Sequence, residues 1–231
     1  MFNTPPSSSL DMDLAKMLAK NELLHSLVDE NFSVIKQVRT GLVSFPLDLD
    51  KAKGQLAVAT MIQLSLKPDI VHVVSFSEAN HAALPEDIIE SCKIVDQVID
   101  RYYSSNISIL SEKILDRKKE LMKQAKWIVN LIPELSKISE KTANPYISYE
   151  NLHQLVKLGI FDAPHLKNNK FAPGKIKTKI IDGACYSWDE IRNKKIDEVE
   201  RIKLIVGSDT NIDLTESNLQ FEKNAAKVID K

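Results

Sequence analysis

The sequence has 231 residues, of which 43% are hydrophobic, so it can form one large domain or two small ones. Its 31 basic and 32 acidic residues leave a net charge of -1, which argues against nucleic acid or an anionic membrane as a partner. The sequence contains no long apolar run, no signal-peptide pattern and no CxxC pair, so a cytoplasmic protein is expected.

Strand and helix patterns alternate in the first part of the chain. A flexible N-terminus, residues 1–10, precedes an amphipathic helix in which Leu14, Met17 and Leu18 recur at helical spacing. The next four predicted elements alternate in type, and they are a strand over 32–45, a helix over 49–67, a strand over 69–76 and a helix over 85–103. Such alternation with short connections is typical of parallel α/β structure, in which function lies where strands lead into helices.

The composition changes after residue 106. Residues 107–205 are predicted to form a separate, mainly helical α+β subdomain with an extended loop, and residues 206–231 a tail. Its first element is a long charged helix, which is expected to break or restart at Pro133.

Common catalytic and metal-binding motifs are absent from the sequence. The five histidines lack the spacing of a zinc or iron site, and no Walker loop, GxGxxG or GxSxG occurs. His72, in an apolar strand, is predicted to be a hydrogen-bonded core histidine, whereas His81, on a loop after that strand, is a candidate for catalytic or substrate contact. The pairs Asp48 with Asp50 and Glu86 with Asp87 stand at helix starts, where carboxylates usually cap.

Lys51 is the strongest candidate for a binding residue. A cation in the first turn of a helix opposes the helix dipole unless a carboxylate such as Asp48 or Asp50 offsets it. Gln55 and Ala59 follow Lys51 at i+4 and i+8, so these three residues are expected to share one helix face. Two interpretations stay open, a ligand contact and an ion pair at the helix start.

Two segments resemble a known enzyme family. "GLVSFPLDLDKAKGQLAVATMIQLSLKPDIVHVVSFSEA" with "LPEDIIESCK", and later "GIFDAPHLKNNKFAPGKI", are similar to the closing part of the catalytic barrel (epsilon) subunit of glutamate mutase (methylaspartate mutase). Its specific part is "FP.D..KA.G", and the similar order and spacing cover about residues 11–188. The resemblance implies adenosylcobalamin as cofactor, with Lys51 in the cofactor pocket near the adenosyl group. Gln55 and Ala59 join Lys51 there by helical geometry only.

The resemblance also implies that this chain is part of a larger assembly. A complete (β/α)₈ barrel needs about 250 residues, so residues 11–106 would be a partial TIM-barrel-like segment. The family's substrate-binding arginines and its Asp-x-His-x-x-Gly cobalt motif have no counterpart here. A B12-binding small subunit and a chain with the missing strands, or self-association, would complete the enzyme. The alternative is a noncatalytic interaction or regulatory protein that retains a barrel remnant.

Overall fold

The computed structural model describes residues 2–4, 8–40, 45–105, 108–136 and 144–206. The chain is mixed α/β and divides into two compact units, residues 1–119 with 182–184 and residues 120–181 with 185–231. This division lies inside a long helix, whereas the sequence suggests a boundary between residues 106 and 107.

The first unit contains a three-stranded parallel sheet in the order β1-β2-β3. Its elements, in chain order, are β1 (Phe2–Thr4), α1 (Leu10–His25), β2 (Gln37–Thr40), α2 (Leu49–Leu64), β3 (Ile70–His72), a 3₁₀ turn (Phe76–Ala79), α3 (Pro85–Tyr103) and the start of α4 (Glu112–Ser136). β2 pairs in parallel with β3, and Arg39 lies opposite His72. The parallel arrangement that the alternation of strands and helices indicates is therefore confirmed for β2 and β3.

The strands are shorter than the sequence pattern predicts. β2 begins only at Gln37. Phe32, the first residue of the predicted strand, instead lies in a turn in which the Asp29 carboxylate accepts the backbone N–H groups of Asn31 and Phe32 at 2.7 and 2.8 Å. The predicted end of this strand, residues 41–44, lies outside the described residues. β1 pairs in parallel with β2, although the sequence does not predict a strand so close to a polar opening segment.

Two apolar clusters hold the first unit together. One joins buried Val38 of β2 to side chains of α1, α2 and α4. The other surrounds the segment after β3 and includes Phe45, Leu56, Phe76 and Val95. Both α2, which connects β2 to β3, and α3, which follows β3, contribute side chains to the second cluster.

The second unit has a separate three-stranded sheet in the order β4-β5-β6. Its elements are the rest of α4, α5 (Tyr149–Leu158), a 3₁₀ turn (Pro164–Leu166), β4 (Thr178–Ile181), β5 (Ala184–Asp189), β6 (Lys194–Ile196) and α6 (Glu198–Val206). β5 and β6 are antiparallel, and the helices enclose a core that includes Leu131, Leu155 and Ile202.

α4 runs through Pro133 to Ser136, so the expected break at Pro133 is wrong. A proline near the end of a helix removes one hydrogen bond of the last turns, and the neighbouring Leu131 and Ile132 are buried in the core of the second unit. Tertiary packing therefore outweighs the local cost of this proline.

Both sheets in the described part of the chain have three strands, and neither closes into a barrel. The α/β class is thus confirmed at the level of a small parallel sheet and a separate antiparallel one. None of the described helices combines the length and the apolar character needed to cross a membrane.

Candidate functional site

The loops that follow β2 and β3 meet at one edge of the parallel sheet. The side-chain amide of Asn80, just after the 3₁₀ turn, donates to the backbone carbonyl of Leu47 at 2.8 Å. This hydrogen bond joins the loop before α2 to the loop before α3. Lys51 and Ser77 therefore lie at the same edge, as the parallel arrangement predicts, and this edge is where βα proteins place their sites.

Three residues of the motif "FP.D..KA.G" have structural roles. Phe45 and Ala52 are buried in the apolar cluster beside β3. Asp48 is the N-cap of α2, and its carboxylate accepts the backbone N–H of Lys51 at 3.0 Å. Folding alone accounts for these three positions.

Lys51 and Gly54 have no such explanation. The Lys51 side chain is exposed, and among the described residues its ammonium group has no hydrogen-bond or ion-pair partner. The expected alternative, an ion pair with Asp48 or Asp50, is not formed. Gly54 is exposed inside α2, where glycine costs about 0.5–1 kcal/mol relative to alanine. A Cβ added to Gly54 would meet nothing within 4 Å, so packing does not require this glycine.

Lys51, Gly54 and Gln55 lie next to one another along the first turns of α2, and we call this strip the Lys51 face. Residues at i, i+3 and i+4 are neighbours on a helix surface, and Gln55 is half-buried. Ala59, the third residue predicted for this face, is fully buried and offers no surface to a ligand. Sequence reasoning missed Gly54, because the exposure of this glycine and the empty space around it are visible only in the fold.

The neighbouring Lys53, in contrast to Lys51, has a structural role. Its ammonium group lies 2.8 Å from the Glu90 carboxylate and 4.8 Å from the centre of the Phe76 ring. The hydrogen bond to Glu90 is the main reason why the pKa of Lys53 is raised. Lys53 thus links α2 to α3, whereas the Lys51 side chain forms no such link with any described residue.

Polar side chains after β3 are tied together. The hydroxyl groups of Ser75 and Ser77 are 2.8 Å apart, and the Ser91 hydroxyl oxygen accepts the backbone N–H of Phe76 at 3.1 Å. All three serines are buried. These bonds fix the loop that carries His81 against the start of α3.

His81 forms a pair with Asp87 at the same edge. Its Nε2 lies 2.9 Å from the Asp87 carboxylate, and its Nδ1 lies 3.0 Å from the side-chain oxygen of Asn80. The backbone N–H of Leu84 is the main cause of a lowered pKa at Asp87, and His81 lowers that pKa further. The His81 imidazole is half-exposed and is held in place by a carboxylate, so His81 remains a candidate for catalytic or substrate contact.

His72 is not the core histidine that the sequence predicts. It is exposed on β3, and its Nδ1 is 3.2 Å from the side-chain amide nitrogen of Gln37. The apolar pattern of the segment is misleading because β3 has only three residues, and two of them, Ile70 and His72, are exposed.

The segment "GIFDAPHLKNNKFAPGKI" is held together by the carboxylate of Asp162. Asp162 accepts four backbone N–H groups, from Ala163, Gly174, Lys175 and Ile176, at 2.7–3.1 Å. Burial would raise the pKa of Asp162, but these four donors together hold that pKa below its ordinary value. The role of Asp162 in the described structure is therefore to close a loop.

The described residues contain no group of three or more His, Cys, Asp or Glu side chains that could hold a metal ion. No protein-family model matches the chain, and comparison with curated proteins gave no match.

Proposed function

We propose that this chain is one component of an adenosylcobalamin-dependent carbon-skeleton mutase of the glutamate mutase type, and that its Lys51 face is part of the cofactor pocket. The observation that supports this proposal is the unpaired Lys51 ammonium beside Gly54, at the edge where two parallel strands lead into helices. Both are motif residues whose positions the described contacts do not explain.

The residues of the Lys51 face fit an adenosyl group. The Lys51 ammonium and the Gln55 amide can donate hydrogen bonds to ribose oxygens and to adenine nitrogens. The missing side chain of Gly54 lets a flat ligand approach the helix backbone. Ala59 does not fit this role, because it is buried. The cobalt ligand would come from the B12-binding subunit.

In this proposal the chain positions the cofactor and shields it from solvent. When bound, the cofactor supplies radical chemistry, and the protein decides where that chemistry takes place. Asp48 fixes the first turn of α2 through its N-cap bond, and this bond sets the direction in which Lys51 leaves the helix. The bond between Asn80 and Leu47 holds the opposite loop against the same edge.

A partial barrel is part of this proposal. In this proposal the three parallel strands and their helices would form one segment of a (β/α)₈ barrel, and partner chains would have to add the remaining strands. In the described chain β3 pairs only with β2, so the other edge of β3 is available for a further strand.

Replacing Lys51 with alanine tests the proposal in a complex completed with the B12-binding subunit and the missing strands. We expect adenosylcobalamin affinity or turnover to fall by about tenfold or more, equivalent to about 1.4 kcal/mol. Thermal stability should hold or rise slightly, because a cation that opposes the helix dipole is removed. Both quantities are measured on the same preparation, the first by equilibrium dialysis or product formation and the second by thermal unfolding.

Lys93→Ala is the matched control, since Lys93 is an exposed lysine of the neighbouring helix α3. It should leave cofactor affinity unchanged. Equal cofactor binding in the Lys51→Ala, Lys93→Ala and unaltered complexes would remove the Lys51 face from the pocket and withdraw the main support for the mutase proposal.

A noncatalytic interaction protein is the second candidate, and exposed apolar residues favour it. A groove of about 290 Å³ between α2 and α3 is lined mainly by apolar side chains, including Val58, Met61 and Val98. Leu84, Ile88 and Ile89 are also about half-exposed at the start of α3. A chain that binds a stable partner but shows no affinity for adenosylcobalamin in that complex would support this candidate over the first.

A further inference from the structure

A row of polar residues crosses the three parallel strands. Arg39 lies at the centre, in register with Asn3 of β1 on one side and with His72 of β3 on the other. Neighbouring positions in register point to the same face of a sheet. Arg39 and His72 therefore stand side by side, and Asn3 occupies the third position of the row.

This row lies on the side of the sheet away from the helices of the first unit. Val38 and Val71, one residue earlier in each strand, pack into the apolar cluster with α1 and α2. Because side chains alternate along a strand, Arg39 and His72 lie on the opposite face. Both Ile70 and His72 on that face are exposed, so a small molecule can reach the row.

The Arg39 guanidinium has one N–H group that is shielded from water and lacks an acceptor. The residue is half-buried, its Nε atom is shielded from solvent, and that N–H has no acceptor. No carboxylate pairs with Arg39 in the described chain. Arg201 shows the usual solution, because its guanidinium binds Glu198 and the carbonyl groups of Gly159 and Ile160 at 2.7–2.9 Å. A buried donor without an acceptor is costly and often marks a binding site.

His72 supplies a second donor beside Arg39. The amide nitrogen of Gln37, 3.2 Å from Nδ1, donates to that ring nitrogen and leaves the imidazole proton on Nε2. The Nε2–H group is then free to donate. The positive charge of the guanidinium matches a single negative charge, and its planar geometry matches that of a carboxylate.

We propose that Arg39 and His72 bind the carboxylate group of a small ligand on the open face of the parallel sheet. The guanidinium carries the charge of the interaction, and the His72 Nε2–H adds a directed hydrogen bond. This site involves neither the Lys51 face nor a cobalamin, so it can be tested independently of the proposed mutase function.

The arginine side chains allow a direct test on the unaltered protein. The sequence contains only five arginines, Arg39, Arg101, Arg117, Arg192 and Arg201, so a ¹⁵N–¹H spectrum should contain five side-chain Nε–H signals. The signals are assigned by Arg→Gln variants, and the protein is titrated with sodium acetate and sodium succinate. Sodium chloride and sodium phosphate serve as controls at equal ionic strength.

We expect the Arg39 Nε–H signal to shift and saturate with the carboxylates, while the signal of Arg101 changes no more than it does in chloride. Arg101 is the matched control because it is an exposed arginine of α3 with no ion-pair partner among the described residues. Arg39→Gln should weaken acetate or succinate binding by about tenfold or more, and Arg101→Gln by less than about twofold.

Two results would overturn the proposal. The first is an Arg39 signal that responds equally to chloride and carboxylate, which would indicate general ionic screening. The second is a saturating response to phosphate but not to carboxylate, which would assign the cation to a different anion. Both readings come from the unaltered chain, and the other four Arg→Gln variants assign the Arg39 signal by elimination, so a failure of Arg39→Gln to fold would not affect them.

Discussion

Asp162 shows how one side chain can hold a loop that lacks regular structure. Its carboxylate satisfies four backbone donors that would otherwise be without acceptors in the protein. Because these bonds favour the charged form, the pKa of Asp162 is lower in the folded chain than in the unfolded one, even though burial acts in the opposite direction. The stabilisation is therefore complete above the ordinary aspartate pKa, about 4, and is lost as the pH falls through the lower folded value.

Asp162→Asn should destabilise the chain by about 1–3 kcal/mol at neutral pH, because an amide presents only one acceptor oxygen to these donors. The difference from the unaltered chain should shrink as the pH falls below about 4. Urea unfolding at neutral and acid pH measures both effects. Asp96→Asn, an exposed change in α3, is the control and should be nearly neutral throughout. A pH-independent difference for Asp162→Asn would mean that charge is not the cause.

At the scale of the element, α2 has a well-capped N-terminus but contains a destabilising residue, Gly54, that packing does not explain. Asp48 caps it and Ala52 and Leu56 anchor it in the core, yet Gly54 reduces its intrinsic stability. If Gly54 leaves space for a ligand, a larger side chain at this position should stabilise the helix and, at the same time, weaken ligand binding.

Gly54→Leu is expected to raise the free energy of unfolding by about 0.5–1 kcal/mol, because leucine is a better helix former and a Cβ there meets nothing within 4 Å. In the completed complex the same change should lower adenosylcobalamin affinity, since the leucine side chain occupies the Lys51 face. Gly54→Ala provides the comparison, with a similar gain in stability and a smaller loss of affinity. Denaturant unfolding measures the free energy of unfolding, and equilibrium dialysis measures the cofactor affinity. An unchanged affinity in Gly54→Leu would show that the glycine does not make room for the cofactor.

Elements were predictable from the sequence where the pattern is long. α3 follows its predicted bounds because Pro85 and the Asp87 capping interaction mark its start and apolar residues recur over 19 residues. β1 and β3 have three residues each, too few to show alternation, so β1 was not predicted and the face of His72 was misassigned. The position of Lys51 followed from its motif, whereas the importance of Gly54 and Arg39 depends on what surrounds them, which only the fold reveals.

At the scale of the whole molecule, the exposed apolar surface of the first unit predicts association. The parallel sheet has three strands, β3 pairs on one side only among the described residues, and Val58, Met61, Ile88 and Ile89 are exposed on its helices. Exposed apolar side chains that lie close together usually mark an interaction surface, so these helix residues should bind a partner or a second copy. Sedimentation velocity should show a species larger than the 26.0 kDa chain as concentration rises.

The matched variant for association is Met61→Lys with Ile88→Lys, which places charges on this exposed surface and should shift the equilibrium toward monomer. A compact, stable monomer over a wide concentration range in the unaltered chain would contradict the prediction. It would also weaken the idea of a partial barrel, because an incomplete parallel sheet should not be self-sufficient.

The loop closed by Asp162 has a consequence for how such a chain would evolve. Gly174 has a positive φ of 57°, and a Cβ there would lie 2.2 Å from the backbone nitrogen of Lys167. Selection for folding alone would retain Gly174 and Asp162, yet it would leave Lys51 and Gly54 free to drift, and would even favour replacement of Gly54. A lineage that has lost its ligand but kept its shape would therefore keep the loop residues and lose the Lys51 face first.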